Sequence, residues 1–176
     1  MARPPIDARY SGVAIAFHWT IALLVIVNLG IGLGVLPGSM PTHKAIGITV
    51  LVLTLGRVAW RLGHRPPPLP KTVLPWQRGL AHATHWALYL LLLAMPLSGW
   101  AMVSGTEKRR PLEWFGAFDI PYLPVSSAVG DAGANAHGLL GWLMLLLVML
   151  HVAAALFHQF VQRDRLIARM MPGARA

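Results

Sequence analysis

Four apolar runs, residues 13–36, 46–62, 80–103 and 138–160, dominate the chain, and each is long enough to cross a hydrocarbon core of about 30 Å as a helix. With 176 residues, 56% hydrophobic and only 12% charged, the chain is too apolar for an ordinary soluble domain. Four spanning helices use most of that length. The sequence therefore predicts an all-α membrane protein, a four-transmembrane-helix bundle forming one domain over 1–176. The first run is expected to be retained rather than cleaved: it is too long for a signal peptide, lacks a small-x-small cleavage pattern and carries a histidine near its start.

The net charge of +9 reads as topology, not as a nucleic-acid partner. Eleven of the fifteen basic residues, among them Arg3, Arg9, Arg57, Arg61, Arg65, Arg78, Arg163 and Arg169, fall at the N-terminus, the second connection and the C-terminus. Only Lys44, Lys108, Arg109 and Arg110 lie in the first and third connections. The positive-inside rule then puts both termini in the cytoplasm and makes these connections outer ones. Pro66, Pro67, Pro68, Pro70 and Pro75 stiffen the inner connection, and Pro96 is expected to kink the third helix. The long outer connection, 104–136, reads as a periplasmic cap in which 111–118 forms a short amphipathic interfacial helix.

Histidines carry the chemistry. There is no cysteine, which rules out thiolate-held iron–sulfur clusters, disulfides and covalent C-x-x-C-H haem. Any haem must rest on histidine or methionine. His137 and His151 are fourteen residues apart, so on one helix they lie within about 40° of each other and about 21 Å apart along the axis. His158 continues the same stripe, among the small residues Gly138, Gly141, Ala153, Ala154 and Ala155. His43 and His137 come at the outer ends of helices two and four; His18, His82, His85, His151 and His158 come nearer the inner side. An imidazole at membrane depth needs a partner. Bis-histidine ligation of b-type haem supplies one, pairing His43 with His137 outside and His18 with His151 inside, though His82 or His85 stands at a depth from which it can replace His18. No Asp or Glu falls in a predicted helix, which argues against a proton- or cation-coupled carrier and a di-metal carboxylate site.

Several short patterns recur in a fixed order: His18-Trp19; His43-Lys44-x-x-Gly47; Arg57-x-x-Trp60-Arg61; Leu80-Ala81-His82-x-x-His85 with Tyr89; Pro96-Leu97-Ser98-Gly99-Trp100; and His137 with His151. Together they resemble the bacterial cytochrome b561 family over nearly the whole chain. The resemblance implies an inner-membrane bundle holding two b haems, with iron ligands His18, His43, His137 and His151. It favours His18 over His85 as inner ligand. His85 and His158 are then assigned to haem propionates or a quinone site, His82 to the interface, and Arg9, Arg57 and Arg61 to pairing with the anionic propionates or to anchoring topology.

The same resemblance implies electron transfer from periplasmic superoxide to ubiquinone, with Lys44, Lys108 and Arg109 collecting the anion. The outer side carries four charges of each sign, counting Glu107, Glu113, Asp119 and Asp131, so any attraction there is local. The alternative is a cytochrome b subunit that relays electrons between a partner dehydrogenase or hydrogenase and the quinone pool. A protein partner is thus possible but not required.

Overall fold

The computed structural model describes residues 9–69, 73–107, 110–164 and 166–173. Four long helices make up the bundle: α1 (Gly12–Gly32), α2 (Met40–Gly63), α3 (Pro75–Ser104) and α4 (Ser127–Phe157). All four are long and apolar enough to span a membrane. Local chemistry sets their starts. The Ser11 hydroxyl accepts from the Ala14 N–H, Ser39 does the same for Thr42, and the Gln77 side chain accepts from the Leu74 N–H. Gly34, at φ 71°, turns the chain between α1 and α2.

Helix α3 packs on α4, α1 on α2, and α2 on α3. Ile21, Ile31, Ile46, Val50, Leu91, Leu92 and Met144 form the buried centre. Leu23, Ile26, Val52, Leu55, Leu90, Leu139, Leu146 and Met149 face outward instead. A belt of that breadth is the surface of a bundle solvated by acyl chains.

The helix ends differ from the sequence expectation where packing overrides hydropathy. Helix α4 begins at Ser127, eleven residues before the apolar run, so His137 lies three turns inside it and Asp131 sits on its exposed first turns. Residues 127–136 are mostly small, and they dock on α3. A Cβ on Gly130 would come within 2.8 Å of the Gly105 Cα, and one on Gly133 within 2.9 Å of the Ser98 carbonyl oxygen. Backbones this close admit only glycine. Gly130→Val is expected to destabilise the protein by about 1–3 kcal/mol in thermal unfolding in detergent. Gly138→Ala, where an added Cβ meets nothing within 4 Å, should leave the midpoint unchanged.

The 111–118 segment is not a helix. Glu113–Trp114 pairs antiparallel with Phe118–Asp119, in the register Glu113 to Asp119 and Trp114 to Phe118. Its turn places Phe115 and Gly116 at φ 50° and 75°, a hairpin geometry a helix cannot contain. The Trp114 indole donates to Thr49 Oγ1 at 3.0 Å, Lys44 donates to the Pro111 carbonyl, and Leu112 is buried beneath. These anchors hold the hairpin over the bundle end.

At the opposite end α4 runs into a π-helical turn, His158–Gln162, closed by Arg163 at φ 56°. The following 3₁₀ turn, Ile167–Met170, lies across the face where the chain ends meet. Arg9 donates to the Met171 carbonyl, Trp19 to that of Met170, and the buried Arg169 to that of Pro68.

Candidate functional site

Two levels of facing imidazoles lie inside the bundle, fourteen residues apart on the unbroken α4 and so separated by about 21 Å. At the hairpin end, His43 from the first turn of α2 faces His137 from α4, with ring centroids 6.0 Å apart and planes at 87°. At the chain-end level, His18 from α1 faces His151 from α4 at 6.2 Å and 67°. Two metal–imidazole bonds of about 2 Å each, plus the half-width of each ring, require a centroid separation of about 6 Å. Both pairs meet that requirement.

The protonation of the first pair also suits ligation. His43 Nδ1 is 3.2 Å from the Asn28 carbonyl, and His137 Nδ1 is 3.0 Å from the Met95 carbonyl. A carbonyl has no proton to give, so each Nδ1 donates and each Nε2 is left with a free lone pair. Ser98 Oγ, 3.1 Å from His137 Nδ1, donates its own proton to the same Met95 carbonyl at 2.8 Å. This is the outer support a metal-binding histidine normally has. Glycines give the rings room: a Cβ on Gly32 would lie 2.9 Å from His43 Cε1, and one on Gly99 3.0 Å from His137 Cε1.

Both rings border an open cavity of about 750 Å³, lined mainly by apolar side chains including Val25, Leu29, Val50, Met95 and Met144. Its lining has one described cation, Lys44, and one buried acceptor without a protein partner, Asn28 Oδ1.

At the chain-end level a third ring intrudes. His85 of α3 is 5.5 Å from His151, at 61°. It is exposed on the helix surface, whereas His18 and His151 are half-buried. Arg57 stands over this level, its Nε donating to the Tyr89 hydroxyl at 3.0 Å and its Nη1 3.5 Å from His18 Nδ1. Arg61 lies over the Tyr89 ring, 5.8 Å from its centroid. Ligation through His18 Nε2 requires the proton on Nδ1, so the long Arg57 contact must be given up, which frees the guanidinium for an anion.

The remaining expected residues fall elsewhere. His82 is exposed, as an interfacial residue would be. His158 is not brought to the His151 level: its Nδ1 pairs with Asp164 Oδ2 at 2.5 Å. Arg9 lies with Arg57 and Arg61 along a second cavity at the chain-end face. Lys108 and Arg109 lie outside the described residues. Asn28 and Met95 act through backbone carbonyls, which no residue pattern announces. Ser98 and Tyr89 were visible as parts of a motif without a role.

The family model for prokaryotic cytochrome b561 matches residues 9–173. Among curated proteins, the chain is similar to cytochrome b561 homolog 2 of Escherichia coli (strain K12), 35% identical over 93% of this chain and 91% of the relative. It is 34% identical to the probable superoxide oxidase CybB of Yersinia pestis, covering 95% and 98% of the two chains. It is 30% identical to cytochrome b562 of Cereibacter sphaeroides, covering 94% and 96%.

Proposed function

The chain belongs to the prokaryotic cytochrome b561 family of multi-pass, haem b-binding electron-transfer proteins of the bacterial inner membrane, and on that premise we propose that it is a di-haem superoxide:ubiquinone oxidoreductase. The observation that carries the reading is the pair of facing imidazole couples, 6.0 and 6.2 Å across, at two levels of one bundle. The 34% identity to a probable superoxide oxidase supports the choice of donor. In this reading both termini are cytoplasmic, and the hairpin end faces the periplasm.

His43 and His137 would hold one haem b, and His18 and His151 the other. Bound haem supplies a one-electron redox centre that the protein itself lacks. Two superoxide anions each lose one electron to become dioxygen, and one ubiquinone takes up two electrons and two protons to become the quinol. Lys44 attracts the anion to the periplasmic cavity, with Lys108 and Arg109, just before its partner Pro111 in sequence, adding positive charge. Leu112 of the hairpin forms part of the cavity's apolar wall. Arg57 and Arg61 would pair with haem propionates at the cytoplasmic level, with Tyr89 fixing the Arg57 fork. His85, beside His151, would border the region where quinone is reduced.

The test is haem content per chain by pyridine haemochrome on detergent-purified protein, then spectra after adding superoxide and a ubiquinone analogue. Two b haems, reduced by superoxide and reoxidised by the quinone, is the expected result. Haems indifferent to superoxide but reduced by a co-purifying dehydrogenase would replace this reading with that of a relay subunit. Lys44→Gln is expected to slow superoxide-driven reduction about threefold at low ionic strength. The difference should shrink at physiological salt, where exposed charges are screened beyond about 8 Å. Reduction by dithionite should not change.

A further inference from the structure

The second cavity, at the chain-end face, is an open basin of about 930 Å³ between the N-terminal lead, the end of α2 and the Pro66–Pro67 strap. Arg9, Arg57, Arg61 and Arg65 all line it, and no Asp or Glu does among the described residues. Arg57 and Arg61 point to Tyr89 and the His18 level. Arg9 and Arg65, with Trp60 and His64, make up the rest of its polar wall.

Arginines at the end of a membrane bundle commonly snorkel to water, where every N–H is solvated. Two donors here are not. Arg9 Nε and Trp60 Nε1 are both shut off from solvent without a hydrogen-bond partner. Arginine and tryptophan side chains only donate. An acceptor would complete both donors, and beside four guanidiniums an anion is the acceptor that charge favours. The Trp60 ring is stacked on His64 at 3.7 Å and 5°, and His64 Nδ1 donates to the Trp60 carbonyl at 3.0 Å, so the indole is held in place. Ala14, Pro66, Pro67 and Met170 supply apolar wall beside these donors.

We propose that this basin is a phosphate-binding site, with Arg9, Trp60 and Arg65 donating to the oxygens of a phosphate group and the apolar wall accepting what the phosphate carries. An anionic phospholipid at the cytoplasmic interface and free phosphate share this chemistry. The site is independent of haem and of superoxide, so it goes beyond the function proposed above.

The test is native mass spectrometry of the full-length protein in detergent, titrated with phosphatidylglycerol, with phosphatidylcholine, and with phosphatidylglycerol plus inorganic phosphate. Phosphatidylglycerol is expected to be retained about tenfold better than phosphatidylcholine. Trp60→Phe, which removes one donor with little change of shape, and Arg65→Gln should each reduce that preference, and together abolish it. Displacement of the lipid by millimolar inorganic phosphate would assign the site to a soluble phosphate, and resistance to it would assign the site to the lipid. Equal retention of the two lipids with no effect of phosphate would overturn the proposal, as would a preference that survives the double substitution. Haem content on the same samples reports folding and the haem reading separately.

Discussion

His137→Ala is expected to lower haem content from two to one per chain and to leave the spectrum of the remaining haem unchanged. The reasoning starts from the isolation of the two levels. About 21 Å of continuous helix separates His137 from His151, and the two couples take their second rings from different helices, His43 from α2 and His18 from α1. Removing His137 leaves His43 facing an empty half of its site. A single histidine in an apolar cavity would hold the iron far more weakly, and loss of a ligand should cost at least about a hundredfold in haem affinity, the upper end of what removing a ligand's hydrogen-bond partner costs. His43→Ala should give the same spectrum, because the two rings serve one iron. Superoxide-driven quinone reduction should disappear in both variants, while dithionite still reduces the surviving haem. Two haems retained in His137→Ala would sink the pairing.

The bundle was legible because apolar runs of spanning length leave few alternatives, and all four appear as helices. What hydropathy could not read was helix made of small and polar residues. Residues 127–136 continue α4 because Gly130 and Gly133 let it lie against the α3 backbone, a gain that depends on a partner distant in sequence. Met40 and Pro41 likewise begin α2 ahead of its apolar run because Ser39 caps it there. The hairpin was misread as a helix since its aromatic spacing suits either form. Its anchors, Thr49 and Lys44, belong to another element. At the site, the depth of each histidine followed from its helix, so the couples His43 with His137 and His18 with His151 were foreseeable from the sequence. The tautomers were not, since they depend on the carbonyls of Asn28 and Met95. His158 fell on the right stripe, but the π-helical turn that begins there takes it to Asp164 instead.

His151→Ala is expected to remove the haem at the chain-end level and spare the other, and the choice of its partner is where sequence and geometry meet. His18 and His85 both approach His151, at 6.2 and 5.5 Å. A metal between two imidazoles needs about 6 Å between ring centroids, or slightly more, which the His18 separation meets more nearly than the His85 one. His18 is also half-buried, where an unliganded imidazole would be costly, whereas His85 lies on the outer surface of α3. His18→Ala should therefore reproduce the one-haem spectrum of His151→Ala, and His85→Ala should keep both haems. If His85→Ala loses the haem and His18→Ala keeps it, the iron sits between α3 and α4 rather than between α1 and α4. The Arg57 and Tyr89 pair would then border the cofactor from the other side, and the arginines assigned to its propionates would have to be reassigned with it.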